Sequence, residues 1–241
     1  MTTKRKIIFT AGAKGGSGKT TALVSLADFL HGNNIPVTLI DSDVENTVRG
    51  SLANVFRETP KVDIRTHRGL DEFVDRVLAD TIPLVVADLG AGSGKDTFTW
   101  FDDMYEPLKD SGIAFLAVGL VTSEAATVDT VLTWAKTLKT RVNYLIIRNH
   151  RNGSDFRYFE KSDAGQQFMK LAKPTIIDMA LRAPDIQEEL GNRGISLRQA
   201  IEAPADVAGP ILSVFTAKAR MRGYQMRMDE QFSKIIDTLL P

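Results

Sequence analysis

Short apolar runs alternate with segments of helical spacing along most of this chain. The run at residues 7–9 is followed by apolar residues at positions 23, 26, 27 and 30, and then by a second run at 37–40. Short apolar runs predict buried strands, and spacings of three and four predict an amphipathic helix. The first forty residues therefore predict a β-α-β unit with two parallel strands.

The same alternation continues, and it predicts further strands at 84–87, 113–119, 144–147 and 175–178. Helical spacing appears between them, for example at Leu70, Phe73, Val74 and Val77. This order predicts an α/β fold, a doubly wound and mainly parallel sheet with helices on both faces. For the less regular residues 51–66 we predict a short helix at 51–56 and a short strand at 62–66.

The C-terminal residues 205–240 carry one long helical pattern. We expect a single domain over residues 1–241, with 205–241 as a C-terminal helical extension. Lys218, Arg220, Arg222 and Arg227 lie close together in this segment and indicate either a DNA-phosphate contact or a solvated helix face. The last apolar stripe, which includes Phe232 and Leu239, favours packing on the core over insertion into a membrane.

The composition excludes several classes of protein. The chain has 241 residues, of which 43% are hydrophobic and 25% charged, and it contains no cysteine. Thiol catalysis, disulfides and iron–sulfur clusters are therefore excluded. Thirty basic residues balance thirty acidic ones, so any affinity for nucleic acid depends on a local patch. Neither a signal peptide nor a long apolar run is recognisable, and we expect a cytoplasmic protein without a membrane partner.

A glycine-rich loop joins the first strand to the first helix. Its residues are Gly15, Gly16, Ser17, Gly18, Lys19, Thr20 and Thr21. Glycines let the backbone curl so that successive N–H groups point at a polyphosphate, and the helix N-terminus adds a positive dipole end. Lys19 would reach the β- and γ-phosphates of ATP, and the Thr20 hydroxyl would bind Mg²⁺.

Carboxylates follow two of the predicted strands. Asp41 and Asp43 end the second strand, and Asp88 ends the strand at 84–87. Because the carboxyl ends of parallel strands share one edge, these side chains should face the same phosphates. Asp41 and Asp43 are suited to holding a Mg²⁺-bound water or to orienting the attacking one, and Asp88 to helping to hold the metal through its water shell. An Asx turn with Asp43 capping a helix is the structural alternative.

The glycines after Asp88 resemble a second phosphate loop only superficially. The segment 90–97 follows a strand that ends in a carboxylate, whose charge would repel a phosphate, and it lacks the full spacing. We interpret it as a flexible switch that responds to the γ-phosphate, with the glycines as hinges.

The segment 14–21, with lysines at both ends of Gly15-Gly16-Ser17-Gly18, resembles the deviant Walker A motif of the ParA/MinD superfamily of ATPases. The position before Lys14, where a glycine is expected, is Ala13. The resemblance implies that Lys14 is the signature lysine, which reaches the nucleotide of a second subunit in an ATP-dependent homodimer. Residues 41–47 resemble switch I, although the usual Pro-Gln is missing, and this implies that Asp43 activates the attacking water and helps to hold Mg²⁺. Residues 88–92 resemble the start of switch II. The resemblance also makes the polar residues Arg148 and Asn149, at a strand end, candidates to contact the adenine, and a plain polar turn is the structural alternative.

The resemblance spans roughly residues 5–201 and implies a weak ATP hydrolase stimulated by DNA or a partner protein. No helix-turn-helix precedes the first strand, which indicates the short ParA type. We expect a role in plasmid partition or DNA positioning, or in conjugative transfer of the TraL type. Two alternatives from other classes are an ATP-dependent ligase of the dethiobiotin-synthetase kind and an ATP-binding adaptor that hydrolyses nothing.

Overall fold

The protein is built on a six-stranded sheet in which every strand pair is parallel. A computed structural model describes residues 4–12, 14–43, 51–90 and 95–241, with backbone alone at 95 and 96. Ala13, the rest of the predicted switch I at 44–47 and the glycines of the predicted switch II at 91–94 lie outside the described residues. The strand order is β2-β3-β1-β4-β5-β6. The predicted doubly wound parallel fold is therefore confirmed.

The elements of the described residues run in the following order: β1 (Arg5–Ala11), α1 (Lys19–Gly32), β2 (Thr38–Asp41), α2 (Leu52–Val55), α3 (His67–Ala79), β3 (Leu84–Asp88), α4 (Lys95–Asp110), β4 (Ile113–Val121), α5 (Ala125–Leu138), β5 (Asn143–Asn149), α6 (Arg157–Lys161), α7 (Asp163–Ala172), β6 (Thr175–Met179), α8 (Pro184–Arg193), α9 (Leu197–Glu202), α10 (Ala205–Leu212), α11 (Phe215–Ser233) and α12 (Ile236–Leu239).

Two apolar layers cover the sheet, because successive strand residues point to opposite faces. Ile8 and Val86 face the layer of α1, α2 and α8–α12, while Ile7 and Val85 face the layer of α3–α7. The chain passes from β1 to β2 and β3 on one side of the sheet and then crosses to β4 on the other side, so the strand order reverses between β1 and β4. The carboxyl ends of β2, β3 and β1 lie side by side because these three strands are adjacent and parallel. Ligands of doubly wound sheets bind at such an edge.

The strand predicted at 62–66 is wrong. Lys61 makes a single parallel bridge with Asp41, and the chain then turns into α3. Val62 and Ile64 are buried in the alternating manner of a strand. However, the Asp63 carboxylate accepts the backbone N–H of Arg65 at 3.1 Å, which turns the backbone away from the sheet.

The long helix predicted for 205–240 is divided into α10, α11 and α12. Gly209 has a φ of 76°, a left-handed conformation that interrupts α10, and Pro210 follows it without a backbone donor. The C-terminal stripe packs on the core as predicted, since Phe232 and Leu239 have no exposed surface. Among the described residues, no helix has the length and apolar character that crossing a membrane requires.

A buried carboxylate connects the helix after the glycine-rich loop to the C-terminal half. Asp28 of α1 is 2% exposed, and it accepts the Ser196 hydroxyl at 2.6 Å and the Arg198 backbone N–H at 3.0 Å. Burial raises the pKa of Asp28 to about 6, although these two hydrogen bonds and the charges of Arg198 and Arg182 oppose the shift. Asp28 therefore stabilises the fold more as a neutral acid than as an anion.

We expect Asp28 to make the stability of the fold depend on pH. A raised pKa in the folded state gives stability that is fully present below the unfolded value and is lost as pH rises through about 6. In Asp28→Asn, which cannot ionise, this loss disappears. The difference in unfolding free energy between the two proteins should change by roughly 3 kcal/mol between the unfolded and folded pKa values, since one unit corresponds to about 1.4 kcal/mol. Urea unfolding across this pH range measures it, and a constant difference contradicts the expectation.

Candidate nucleotide site

The glycine-rich loop forms an open cradle at the N-terminus of α1. Gly16 and Gly18 have φ values of 72° and 97°, which disfavour residues with a side chain. A Cβ at Gly18 would also lie 2.6 Å from the Asn149 side-chain amide. Gly18 caps α1 without a side-chain hydrogen bond, so the first N–H groups of the helix face the loop. This arrangement suits an anion.

Lys19 lies over this cradle. Its ammonium donates to the Lys14 carbonyl oxygen at 3.1 Å, so it already reaches back across the loop. Burial lowers the pKa of Lys19, and the nearby charges of Asp88 and Asp43 oppose that shift. A phosphate in the loop would offer Lys19 a stronger acceptor than the carbonyl, because hydrogen bonds between charged groups are about twice as strong as neutral ones.

The side-chain oxygen atoms of Thr20 and Asp88 lie next to each other beside this loop. The Thr20 hydroxyl donates to Asp88 Oδ2 at 2.6 Å, and the Thr10 hydroxyl lies 3.1 Å from Asp88 Oδ1. Burial raises the pKa of Asp88 to about 6, with the negative charge of Asp41 adding to the shift and the two threonines and Lys19 opposing it. A hydroxyl and a buried carboxylate are hard oxygen ligands, so this pair fits Mg²⁺, which binds through one or two carboxylates, phosphates and water.

The two aspartates at the end of β2 have different surroundings. Asp41 is fully buried, and it accepts the backbone N–H groups of Asp43 and Ala53 at 3.0 and 2.9 Å. Asp41 therefore stabilises a turn of the backbone, which is the structural role that we considered as the alternative to metal or water binding. Asp43 is half-buried beside Gly90, where a Cβ would come within 3.0 Å of Asp43 Oδ1. The carboxylate of Asp43 is thus the one directed towards Lys19 and the end of β3.

Lys14 points away from the cradle that its carbonyl helps to form. Its ammonium lies 3.7 Å from Glu124 Oε2, and both side chains are 47% exposed. Surface pairs of this kind contribute little stability, so the ammonium is free to move to another anion.

A comparison of the sequence with known protein families agrees with these features. The family profile of the CobQ/CobB/MinD/ParA nucleotide-binding domain matches residues 8–231. The chain belongs to this family. The predicted membership of the ParA/MinD superfamily is therefore confirmed, and nucleotide binding is the family property that the match supports.

Solved structures agree with the CobQ/CobB/MinD/ParA fold. The septum site-determining protein MinD of Pyrococcus horikoshii, in complex with Mg-ADP, has a TM-score of 0.58 at 16% identity and 98% coverage of both chains. A chain of the MinC:MinD cell division protein complex of Aquifex aeolicus gives 0.55 at 16% identity, covering 98% of this chain and 97% of that one. At these identities the matches establish the fold alone. A search of curated proteins finds no match to the sequence.

A pocket of about 440 Å³ adjoins the glycine-rich loop of this CobQ/CobB/MinD/ParA domain. Gly18, Thr21 and Asn149 border it on the loop side, and Leu181, Arg182 and Tyr224 border it on the other. Asn149 is buried, and its amide donates to the Ser17 carbonyl at 2.9 Å. It is therefore positioned between the loop and the pocket.

Arg148 is not brought to this pocket. Its guanidinium binds both carboxylate oxygens of Asp178, at 2.9 and 2.7 Å, and also contacts Glu160. Arg148 and Asn149 are consecutive strand residues, so their side chains lie on opposite faces of the sheet. The adenine contact of Asn149 stays a prediction, and for Arg148 the ion pairs with Asp178 and Glu160 occupy the side chain.

Sequence reasoning missed three residues that contact the candidate site in the structure. Arg151 donates to the Gly16 carbonyl at 2.6 Å, Thr10 bonds to Asp88, and Glu124 pairs with Lys14. Arg151 lies in the polar stretch after β5, and Thr10 is the one hydroxyl residue near the end of β1. Those positions carried a weak signal, but nothing in the sequence near Glu124 indicated its contact.

Proposed function

We propose that this chain hydrolyses ATP with Mg²⁺ and that ATP controls its association into homodimers. The observation that carries this proposal is the direction of Lys14. Its ammonium lies outside its own cradle at an exposed partner, while Lys19 and the N-terminus of α1 already supply positive charge there. A lysine that a single subunit does not need for its own phosphates is available to a second subunit.

In this proposal the loop binds the phosphates and Lys19 contacts the β- and γ-phosphates. Thr20 and Asp88 hold Mg²⁺, which neutralises phosphate charge when bound. Asp43 is the other carboxylate near Lys19 on this edge; among the described residues no backbone N–H donates to it, and in this proposal it orients the attacking water.

The test of this hydrolytic role is Asp43→Ala. We expect ATP affinity to remain within a few-fold of wild type and turnover to fall at least about hundredfold, the usual contribution of a general base. Asp75→Ala, at an exposed position of α3, is the matched control and should leave both quantities unchanged. Calorimetry measures affinity and phosphate release measures turnover. Wild-type turnover in Asp43→Ala would remove the residue from the mechanism.

The cargo in this proposal is DNA, in plasmid partition or in conjugative transfer of the TraL type, with a partner protein that stimulates hydrolysis. Steady-state turnover with and without DNA separates this switch from a ligase of the dethiobiotin-synthetase kind, which requires an acceptor substrate, and from an adaptor without turnover.

The basic residues of α11 do not form the single cluster that their closeness in sequence suggests. Lys218 and Arg222 are four residues apart and share one flank of the helix, while Arg220 and Arg227 are seven apart and share the other. The buried stripe with Met221 and Tyr224 separates the two flanks. Arg222 is exposed and Lys218 binds the Ala203 carbonyl. DNA contact by each flank is therefore a separate proposal.

A further inference from the structure

A second concave pocket of about 570 Å³ lies between the loop after β6 and helix α11. Its apolar walls come from Ile186 of α8, Leu197 of α9 and Met221 and Tyr224 of α11. It is distinct from the phosphate loop, although Leu181, Arg182 and Tyr224 border both pockets.

Three arginines line this second pocket. Arg220 and Arg227 enter it from the shared flank of α11, and Arg182 enters it from the loop after β6. None of the described residues that line the pocket is acidic. Within the described ranges, Arg220 and Arg227 make no ion pair, and both are exposed to solvent. The lining of the pocket therefore carries an excess of positive charge, and a carboxyl that interacts with it, Asp28 beside Arg182, lies outside the lining.

Contacts with three neighbouring side chains hold the guanidinium of Arg182 in place. Its guanidinium stacks on the Tyr224 ring at 4.5 Å, and its two terminal nitrogens donate to Gln187 at 2.9 Å and Ser25 at 3.3 Å. The third nitrogen, Nε, is buried and has no hydrogen-bond partner among the described residues. Buried donors are nearly always paired, so this one indicates an acceptor that the described residues do not supply.

We propose that this pocket binds a small phosphate ester with an apolar or aromatic part. The phosphate would take the free donors of the three arginines, which match its geometry, and the apolar part would lie against Ile186, Leu197 and Met221. A small ligand fits better than duplex DNA, because the pocket is concave and has apolar walls. This site goes beyond the proposed ATPase.

Ligand binding in this second pocket is expected to be coupled to the candidate nucleotide site. Arg182 and Tyr224 form part of the wall of both pockets, so an anion that draws the guanidinium towards one changes the lining of the other. Any such coupling is reciprocal, because the two binding free energies share one thermodynamic cycle.

Phenyl phosphate is the probe, and its binding is measured by calorimetric titration. The protein is the full chain carrying Lys19→Ala, because this substitution weakens binding of the probe at the glycine-rich loop. We expect one site, and we expect inorganic phosphate to bind more weakly because it cannot use the apolar walls. Adding Arg220→Gln and Arg227→Gln should lower the affinity for phenyl phosphate at least about tenfold, since each loses a charge-assisted hydrogen bond.

The matched control is Lys218→Gln with Arg222→Gln, which removes the same charge from the other flank of α11. It should change the affinity for phenyl phosphate less than about twofold, the effect of removing distant and screened charges. Hydrogen exchange should show protection at residues 181–186 and 219–227. Equal losses in the two double variants, or no binding at millimolar concentrations, would overturn the proposal. A fall in DNA binding in the Arg220/Arg227 variant, with no phenyl phosphate binding, would assign these arginines to DNA instead.

Discussion

Replacing Lys19 by alanine is expected to lower the affinity for ATP at least about hundredfold, because in the proposed function the ammonium makes charge-assisted contacts with two phosphates in a partly buried site. The fold should persist. Lys19 lies outside both apolar layers, and among the described residues its ammonium donates only to the carbonyl of Lys14. Calorimetry with Mg·ATP measures the affinity, and thermal unfolding reports the fold.

The control for this prediction is Lys170→Ala, an exposed lysine of α7 on the opposite layer. It removes the same charge from the protein and should leave the affinity for ATP unchanged. Wild-type affinity in Lys19→Ala would contradict the assignment of the phosphate loop, whereas a loss in both variants would indicate an effect of net charge.

The position of the glycine-rich loop between β1 and α1 could be predicted because its determinants are contiguous. The strand, the glycines at 15, 16 and 18, Lys19 and the helix follow one another, and each is recognisable from its neighbours. The place of Asp88 followed from one further rule, that the carboxyl ends of parallel strands share an edge. The hydrogen bond from Thr20 to Asp88 agrees with that reasoning.

Residues whose surroundings depend on distant pairing could not be placed in this way. Arg148 and Asn149 are adjacent polar residues, and nothing in their sequence neighbourhood favours one over the other as a nucleotide contact. The choice depends on the register of β5 with β6, which sets Arg148 directly opposite Asp178. The resulting ion pair occupies Arg148, while Asn149 faces the phosphate loop.

Closeness in sequence was misleading at α11. The four basic residues between 218 and 227 resemble one patch in the printed sequence, but a helix turns by about 100° per residue and divides them into two flanks. Arg182, which completes the charge of one flank, is about forty positions earlier in the chain. Its contact with Tyr224 arises only after α11 packs beside β6.

Lys14 provides the most direct test of the proposed switch. In a single subunit its ammonium is held by one exposed carboxylate, a weak pair that a phosphate of another subunit can replace. The γ-phosphate is absent from ADP, so only ATP offers the full charge. We therefore expect monomers with ADP and dimers with ATP when Asp43→Ala blocks hydrolysis.

Adding Lys14→Ala to that background should weaken the ATP-bound dimer at least about thirtyfold, the cost of truncating one partner of a buried charge pair at an interface. The affinity for ATP itself should stay near wild type, because Lys19 and the N-terminus of α1 remain. Glu124→Gln is the matched control: it removes the resting partner of Lys14 but leaves the lysine, so the dimer should persist. Light scattering reports the mass in each state. The same mass with ADP and ATP, or an ATP dimer that survives Lys14→Ala, would refute the switch.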